Sequence, residues 1–369
     1  MSGSRAVFVA AGGTGGHLFP AEALSAALAQ HDVPVELVTD ERALKYGASF
    51  PARAIHTIPA ATPTGGSIVS KAMSVLTLGR GTLVARSLLK RNEPLCVVGF
   101  GGYPTVPPVL AAAILGVPTI LHEQNAVMGR ANNFMAARVT QIATGFAQLG
   151  GVPDPIRQKA QHTGNPVRPA VIEAARIAYP GFEDGRSRLL VTGGSQGARV
   201  MSDIVPPALE LLPTEMRGRL VIVQQARGED EERVAAAYRR LGIAAEVAPF
   251  FKDLPARMAQ AHLVIARAGA STVSELAVIG RPSILVPFPF ALDQDQAANA
   301  AHLAETGAAC VIKQADFSPQ WLAARLAEDF GDPQGLTRRA QAAKSAGIPD
   351  AAERLAQLVL RIARIAPSE

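Results

Sequence analysis

The sequence has little cysteine, few aromatic residues and no long apolar run, and each scarcity excludes something. Cys96 and Cys310 are the only cysteines in 369 residues. Both sit in apolar, strand-like runs, which reads as buried core thiols rather than a disulfide framework or a cysteine-rich metal site. Aromatic side chains make up 5% of the chain, too few for the stacking platforms that hold single-stranded nucleic acid. A formal net charge of +5 is mild for this length. It permits attraction to an anionic surface and does not by itself indicate nucleic acid, so no nucleic-acid partner is expected. No uninterrupted apolar run approaches the ~20 residues that a membrane-spanning helix needs. Met1 to Arg5 is short and polar, so no signal peptide is expected ahead of Val7, and the expected compartment is the cytoplasm.

What is present is an alternation of strand-like and helical stretches, the pattern of an α/β protein with parallel sheets. The first half offers "AVFVAA", "PVELVTD", "LCVVGF" and "PTILHE" as strands; the second offers "RLLVTGG", "RLVIVQQ", "AEVAPF", "LVIARAG" and "PSILVPFP". The length favours two domains, and Pro166 and Pro169 bracket a linker between them. The halves echo each other, since "VFVAAGGTGGHLFP" and "LLVTGGSQGARVMS" both run from a strand through a glycine turn into a helix. The expected architecture is two Rossmann-like domains facing each other across a cleft, with ligands outside the carboxyl ends of the strands. Residues 1–165 form the first domain and 166–346 the second. A terminal helix over 347–369 carries Leu355, Leu358, Val359 and Ile362 at helical spacing.

Chemistry concentrates in the turns. Between the first strand and helix lie Gly12, Gly13, Thr14, Gly15, Gly16 and His17. Glycines there let the backbone bend and approach a ligand, with unpaired helix N–H groups aimed at it. The turn reads as an anion or nucleotide site, but it departs from the dinucleotide pattern G-x-G-x-x-G, whose third glycine falls on Leu18 when counted from Gly13. Asp40, ending the second strand, keeps a ribose-binding dinucleotide reading open. A helix N-terminus disfavours protonated His17. A neutral imidazole can act as general base; a local hydrogen-bonding role is the alternative. "GFGGYPTVPP" places glycines after another strand, with Tyr103 and prolines as a rigid wall. "LHEQNAVMGRANN" then crowds His122, Glu123, Gln124, Asn125, Arg130, Asn132 and Asn133 behind an apolar strand. Such polarity is costly unless solvated or engaged by a ligand, and a polyhydroxylated ligand would use it.

In the second half, Arg267 ends a strand, Gly269 and Ala270 turn the chain, and Ser271 and Thr272 can cap a helix facing a phosphate. Glu275 follows, placed either to accept from ribose hydroxyls or to offset the helix dipole. Asp293 and Asp295 precede Gln296, but two carboxylates alone rarely close a metal site.

Taken in order along nearly the whole chain, "GGTGGHLFPA", "GGYPTVP", "HEQNAVMGRAN", "TGNPVR", "GGSQGA", "RAGASTVSELA" and "DQDQAANA" resemble the MurG family of peptidoglycan N-acetylglucosaminyltransferases (glycosyltransferase family 28). The resemblance implies the GT-B architecture. It also implies transfer of GlcNAc from UDP-GlcNAc to the C4 hydroxyl of MurNAc in undecaprenyl-pyrophosphoryl-MurNAc-pentapeptide, with inversion and with no metal or other cofactor. The second domain would hold the donor, and the first would meet the lipid acceptor at the cytoplasmic face of the inner membrane. The terminal helix would pack on the first domain, and cell-wall and division complex proteins become candidate partners.

By position, the resemblance makes His17 the leading candidate base and Glu123 the second. Thr14, Gly15, Gly16 and Asn125 become donor-site candidates in the first half. Arg168 and Ser195 are placed near the diphosphate or sugar, and Phe251 where the uracil edge is read. Ala270, Ser271, Thr272, Val273, Ser274 and Glu275 would hold phosphate and ribose, with Gln296 on the donor sugar. After "TIPAATPTGGS" no clear family motif appears. That region nevertheless mixes Ile68, Val69, Val75, Leu76, Leu83 and Leu88 with Lys71, Arg80, Arg86, Lys90 and Arg91. In this family an apolar patch rimmed by basic residues docks on the membrane, although core packing would also account for these apolar positions. The rival readings are a glycosyltransferase with another acceptor, a sugar-nucleotide epimerase and a non-catalytic nucleotide-sugar sensor.

Overall fold

The computed structural model describes residues 5–12, 15–41, 50–62, 67–194, 197–291 and 294–365. The chain folds as two compact units, Met1–Arg168 with Pro349–Glu369, and Pro169–Ile348. The boundaries expected at 165/166 and 346/347 fall instead at 168/169 and 348/349, so Arg168 belongs to the first unit.

The first unit is built on seven strands, β1 (Val7–Ala10), β2 (Val35–Thr39), β3 (Ala54–Thr57), β4 (Cys96–Gly99), β5 (Thr119–Glu123), β6 (Gln141–Thr144) and β7 (Ala160–His162). Their spatial order is β3-β2-β1-β4-β5-β6-β7, and β1 pairs in parallel with β2 and β4, setting Val7 opposite both Val35 and Cys96. Side chains alternate across the sheet. Val7 and Val9 enter one buried layer, and Phe8 enters the other. Helix α1 (Gly15–Gln30) covers the first layer through Leu18, Leu24 and Leu28. The C-terminal helix Ala351–Ala363 adds Leu355, Leu358 and Val359 to the same layer, and its Glu353 meets His31 at 2.9 Å. Helices α2 (Ile68–Asn92), α3 (Val106–Leu115) and α4 (Arg130–Ala136) cover the other face through Leu89, Val109 and Met135.

The second unit carries β8 (Ser187–Thr192), β9 (Leu220–Gln225), β10 (Ala244–Ala248), β11 (Leu263–Ala266), β12 (Ser283–Leu285) and β13 (Ala309–Val311), in the order β10-β9-β8-β11-β12-β13. Strands β3, β6 and β7 are not apparent in the sequence pattern, because "AIHT", "QIAT" and "AQH" are short and mix polar with apolar residues. Cys96 is buried in β4 and Cys310 half-buried in β13, and both are free thiols.

In each sheet the winding reverses once, between β1 and β4 in the first unit and between β8 and β11 in the second. At such a switch point the loops leave in opposite directions, opening a crevice at the strands' carboxyl ends. The glycine turns after β1 and β8 lie at these two places.

Candidate functional site

At the first switch point, His17 sits in the opening turn of α1, one strand away from the Gly101–Gly102 turn that follows β4. Both glycines have positive φ, 85° and 74°. A Cβ on Gly102 would stand 3.4 Å from His17 Cε1, and one on Gly101 would stand 3.6 Å from Cδ2. The imidazole therefore lies against a backbone with no side chains of its own. Burial lowers the His17 pKa below its ordinary value, opposed by a ring N–H donating to the Gly12 carbonyl. That hydrogen bond selects the tautomer and makes the other ring nitrogen the acceptor. Gly12 is itself enclosed, since a Cβ there would meet Asp40 Oδ1 and Pro104 Cβ, each at 2.9 Å.

Glu123 ends β5 and is buried. Its Oε1 accepts from the backbone N–H of Asn125 at 3.0 Å and from Asn125 Nδ2 at 3.3 Å. Its Oε2 accepts from the Gly129 N–H at 3.0 Å and Asn132 Nδ2 at 2.8 Å. Burial raises the Glu123 pKa, and the four donors pull it back. A carboxylate so engaged organises the polar loop: it ties Asn125, Gly129 and α4 to the end of β5. Gln124 donates to the Phe100 carbonyl at 2.8 Å, and Asn165 donates to the Gln124 carbonyl at 2.9 Å. His122 is fully buried, with Nε2 3.1 Å from the Gly164 carbonyl, and burial takes its pKa down to about 4. Arg168 lies over the Phe19 ring of α1 at 4.1 Å.

In the second unit the turn after β11 leads into the helix Ala270–Ile279, whose N-cap is Gly269, a residue that supplies no side-chain cap. Backbone N–H groups and the positive end of the dipole are thus presented together, the usual setting for phosphate. Ala270 and Val273 are buried, Ser271, Thr272 and Ser274 half-buried, and Glu275 buried in the second turn. The opposite end of this helix is fixed by the buried Arg281, which donates to the carbonyls of Ile279 and Gly280, each at 2.9 Å. Burial brings the Arg281 pKa down to about 10. Gln296 Oε1 accepts from the Ala268 N–H at 3.3 Å and from the Phe288 N–H at 2.9 Å, joining the loops after β11 and β12. Asn299 donates to the Ala268 carbonyl at 3.2 Å. The buried Arg267 donates to the Val286 carbonyl at 3.0 Å and to Gln314 at 2.6 Å.

The glycine turn after β8 is held by a residue that the sequence does not single out. Gln225, ending β9, accepts from Thr192 Oγ1 at 2.8 Å and the Gly193 N–H at 3.1 Å, while its amide donates to the Pro249 carbonyl. Phe251, two residues beyond, is buried under the Arg257 guanidinium at 4.4 Å.

Of the expected residues, Gly15, Gly16, His17, Glu123, Asn125 and Arg168 belong to the first unit, and Phe251, Ala270–Glu275 and Gln296 to the second. Thr14, Ser195 and Asp293 lie outside the described residues. Asp295 opens its helix, accepting from the Gln296 N–H at 2.8 Å. Among the described residues no group of three or more His, Cys, Asp or Glu side chains gathers to hold a metal ion. Among them, too, no helix is long and apolar enough to cross a membrane.

Two doubly wound units, each ending in glycine turns at its switch point, define an α/β protein of the GT-B class. Solved structures of this class agree. A kitacinnamycin glycotransferase superposes with a TM-score of 0.67 at 17% identity, covering 98% of this chain and all of its own. Acinetobacter baumannii MurG superposes with a TM-score of 0.78 at 28% identity, over 97% of this chain and 100% of that one. Residues 7–144 match the glycosyltransferase family 28 N-terminal domain and residues 188–355 its C-terminal domain. The chain belongs to glycosyltransferase family 28. It is similar to a protein of Methylobacterium radiotolerans named UDP-N-acetylglucosamine–N-acetylmuramyl-(pentapeptide) pyrophosphoryl-undecaprenol N-acetylglucosamine transferase, with 59% identity over 97% of each chain. The protein of that name from Rhizobium johnstonii is 54% identical over 97% of this chain and 95% of its own.

Proposed function

We propose that the protein is an inverting glycosyltransferase that moves GlcNAc from UDP-GlcNAc to the C4 hydroxyl of MurNAc in undecaprenyl-pyrophosphoryl-MurNAc-pentapeptide. The names of its full-length relatives support the donor and acceptor. The observation that carries the chemistry is the enclosed His17, kept neutral by burial and fixed in one tautomer by Gly12. His17 takes the proton of the attacking hydroxyl. The C4 oxygen bonds to the anomeric carbon of GlcNAc, the bond from that carbon to the diphosphate oxygen breaks, and UDP leaves with the electron pair. The N-terminus of helix Ala270–Ile279 and the Arg168 cation stabilise the charge gathering on the diphosphate. Ser271–Ser274 line that anion site, Glu275 takes the ribose hydroxyls, and the Gln296 amide meets the donor sugar. Glu123 holds Asn125 towards the reacting end rather than moving a proton itself.

The acceptor's lipid would be met by α2. Val69, Met73, Val75, Leu76 and Leu83 are exposed on this helix, as are Lys71, Arg80, Arg86, Lys90 and Arg91, whereas Leu88 faces the core. The side chain of Ile68 lies outside what is described. Exposed apolar residues interleaved with cations suit the anionic cytoplasmic face of a membrane, where each basic residue contributes roughly 1 kcal/mol.

The test is product analysis with UDP-[14C]GlcNAc and a short-chain lipid-linked MurNAc-pentapeptide. Label should move to the lipid-linked muramyl unit in a β linkage. Hydrolysis without transfer, or transfer to other acceptors only, would contradict the reading.

A further inference from the structure

Arg168 is the last residue of the first unit, and its side chain turns back onto α1. Its guanidinium carbon lies 4.1 Å from the centre of the Phe19 ring. A Cβ on Gly15 would come 3.0 Å from Phe19 Cε2, so glycine at position 15 leaves the ring room against the helix. Glu22 is three residues further along the helix. Burial raises its carboxyl, and the charge of Arg168 opposes that rise. Gly15, Phe19 and Glu22 follow at i, i+4 and i+7, one face of α1. The same helix end therefore carries His17 and, on this face, a cradle for one cation.

We propose that Phe19 is a positioning residue for Arg168, its ring holding the guanidinium flat on α1 for the diphosphate of the donor. The inference rests on the reading of Arg168 given above. A planar, weakly hydrated guanidinium stacks on an aromatic face through its own face, while its in-plane N–H donors serve phosphate oxygens, so one cation can do both. An arginine also has many rotamers to lose on binding. Stacking removes much of that freedom before the donor arrives. Glu22 steers the cation to the same place by charge, and Gly15 clears the space. None of the three needs to touch the substrate.

The experiment measures equilibrium affinities for UDP-GlcNAc, UDP and uridine by titration calorimetry. The proteins are wild type, Phe19→Leu, Phe19→Tyr, Arg168→Lys and the Phe19→Leu/Arg168→Lys double variant. Phe19→Leu should weaken UDP-GlcNAc and UDP about tenfold and leave uridine unchanged. Phe19→Tyr, which keeps the ring, should bind like wild type. In the Arg168→Lys background the Phe19→Leu change should add less than about twofold, because a lysine ammonium makes far less use of the ring face. Three results overturn the proposal: unchanged UDP affinity in Phe19→Leu, an equal loss for uridine and UDP, or the same added factor in both backgrounds. Unchanged UDP affinity in Arg168→Lys overturns it as well. If Phe19→Leu does not fold, Phe19→Met removes the ring with less loss of volume and takes its place. A wild type that binds donor but shows no acceptor-dependent turnover contradicts the proposed function, while the comparison among variants still reads Phe19 on its own.

Discussion

Replacing Glu123 by Gln separates a base from an organiser. The carboxylate receives four N–H donors, two on each oxygen. A glutamine offers one oxygen and one NH2 group. Whichever way the amide is turned, two donors face an N–H group in a buried site instead of an acceptor. Leaving a buried donor unsatisfied costs about 1–3 kcal/mol, so the pair should cost about 3 kcal/mol after the loop relaxes. For a unit of this size that is roughly a 6–12 °C fall in the melting transition of the first unit. Calorimetric melting of wild type and Glu123→Gln, with turnover measured well below the lower transition, is the assay. Turnover should fall along with order in the 124–132 loop, and donor affinity should weaken through Asn125. An unchanged melting temperature with turnover lost a hundredfold or more would refute this reasoning and make Glu123 the base.

Other expectations follow from the same geometry. His17 must be neutral to accept a proton and its pKa lies below the ordinary 6.5, so the acid limb of kcat/KM should fall below pH 6.5; a limb above pH 7 would contradict the assignment. His122 titrates near 4 when folded against 6.5 ordinarily. Between these values the unfolded chain binds a proton that the native state does not, so stability is lost as pH falls, by about 2 kcal/mol at pH 5. Denaturant midpoints at pH 7 and pH 5 should show this loss in wild type and little of it in His122→Gln. Gly102→Ala forces a non-glycine residue to φ 74° and sets a methyl 3.4 Å from His17. It should cost about 1–2 kcal/mol and lower kcat more than it raises KM. Leu76→Glu with Leu83→Glu on α2 should abolish co-sedimentation with anionic vesicles at low salt while leaving UDP-GlcNAc binding intact.

Much of the fold was legible because a glycine turn between an apolar run and a helix leaves a local mark. The turns after β1, β4, β8 and β11 could all be read that way, and they proved to flank the two switch points. The short strands β3, β6 and β7 could not, since their pairing is decided by the neighbouring strand rather than by their own few residues. The site was legible by residue type and much less by role. His17 followed from its place at a helix start, but the side-chain-free surface of Gly101 and Gly102 depends on which strand lies next to β1. Glu123 stands out by its position in the family motif, but its donors Gly129 and Asn132 could not be read, since they come from a loop whose path no spacing rule gives. Gln225 passed unnoticed for the same reason, its work being set by the pairing of β8 with β9. Arg168 read as part of the second domain between two prolines; its contact with Phe19 keeps it with the first.

The most direct test of the account is UDP release from UDP-GlcNAc by the full-length protein, with and without a short-chain lipid-linked MurNAc-pentapeptide, in wild type and His17→Ala side by side. Donor affinity is measured separately for each. The account predicts release that depends on acceptor in wild type and drops by roughly 10²–10⁴-fold in the variant, with UDP-GlcNAc bound equally by both. Release at the same rate without acceptor, or a His17→Ala protein that turns over like wild type, would contradict it.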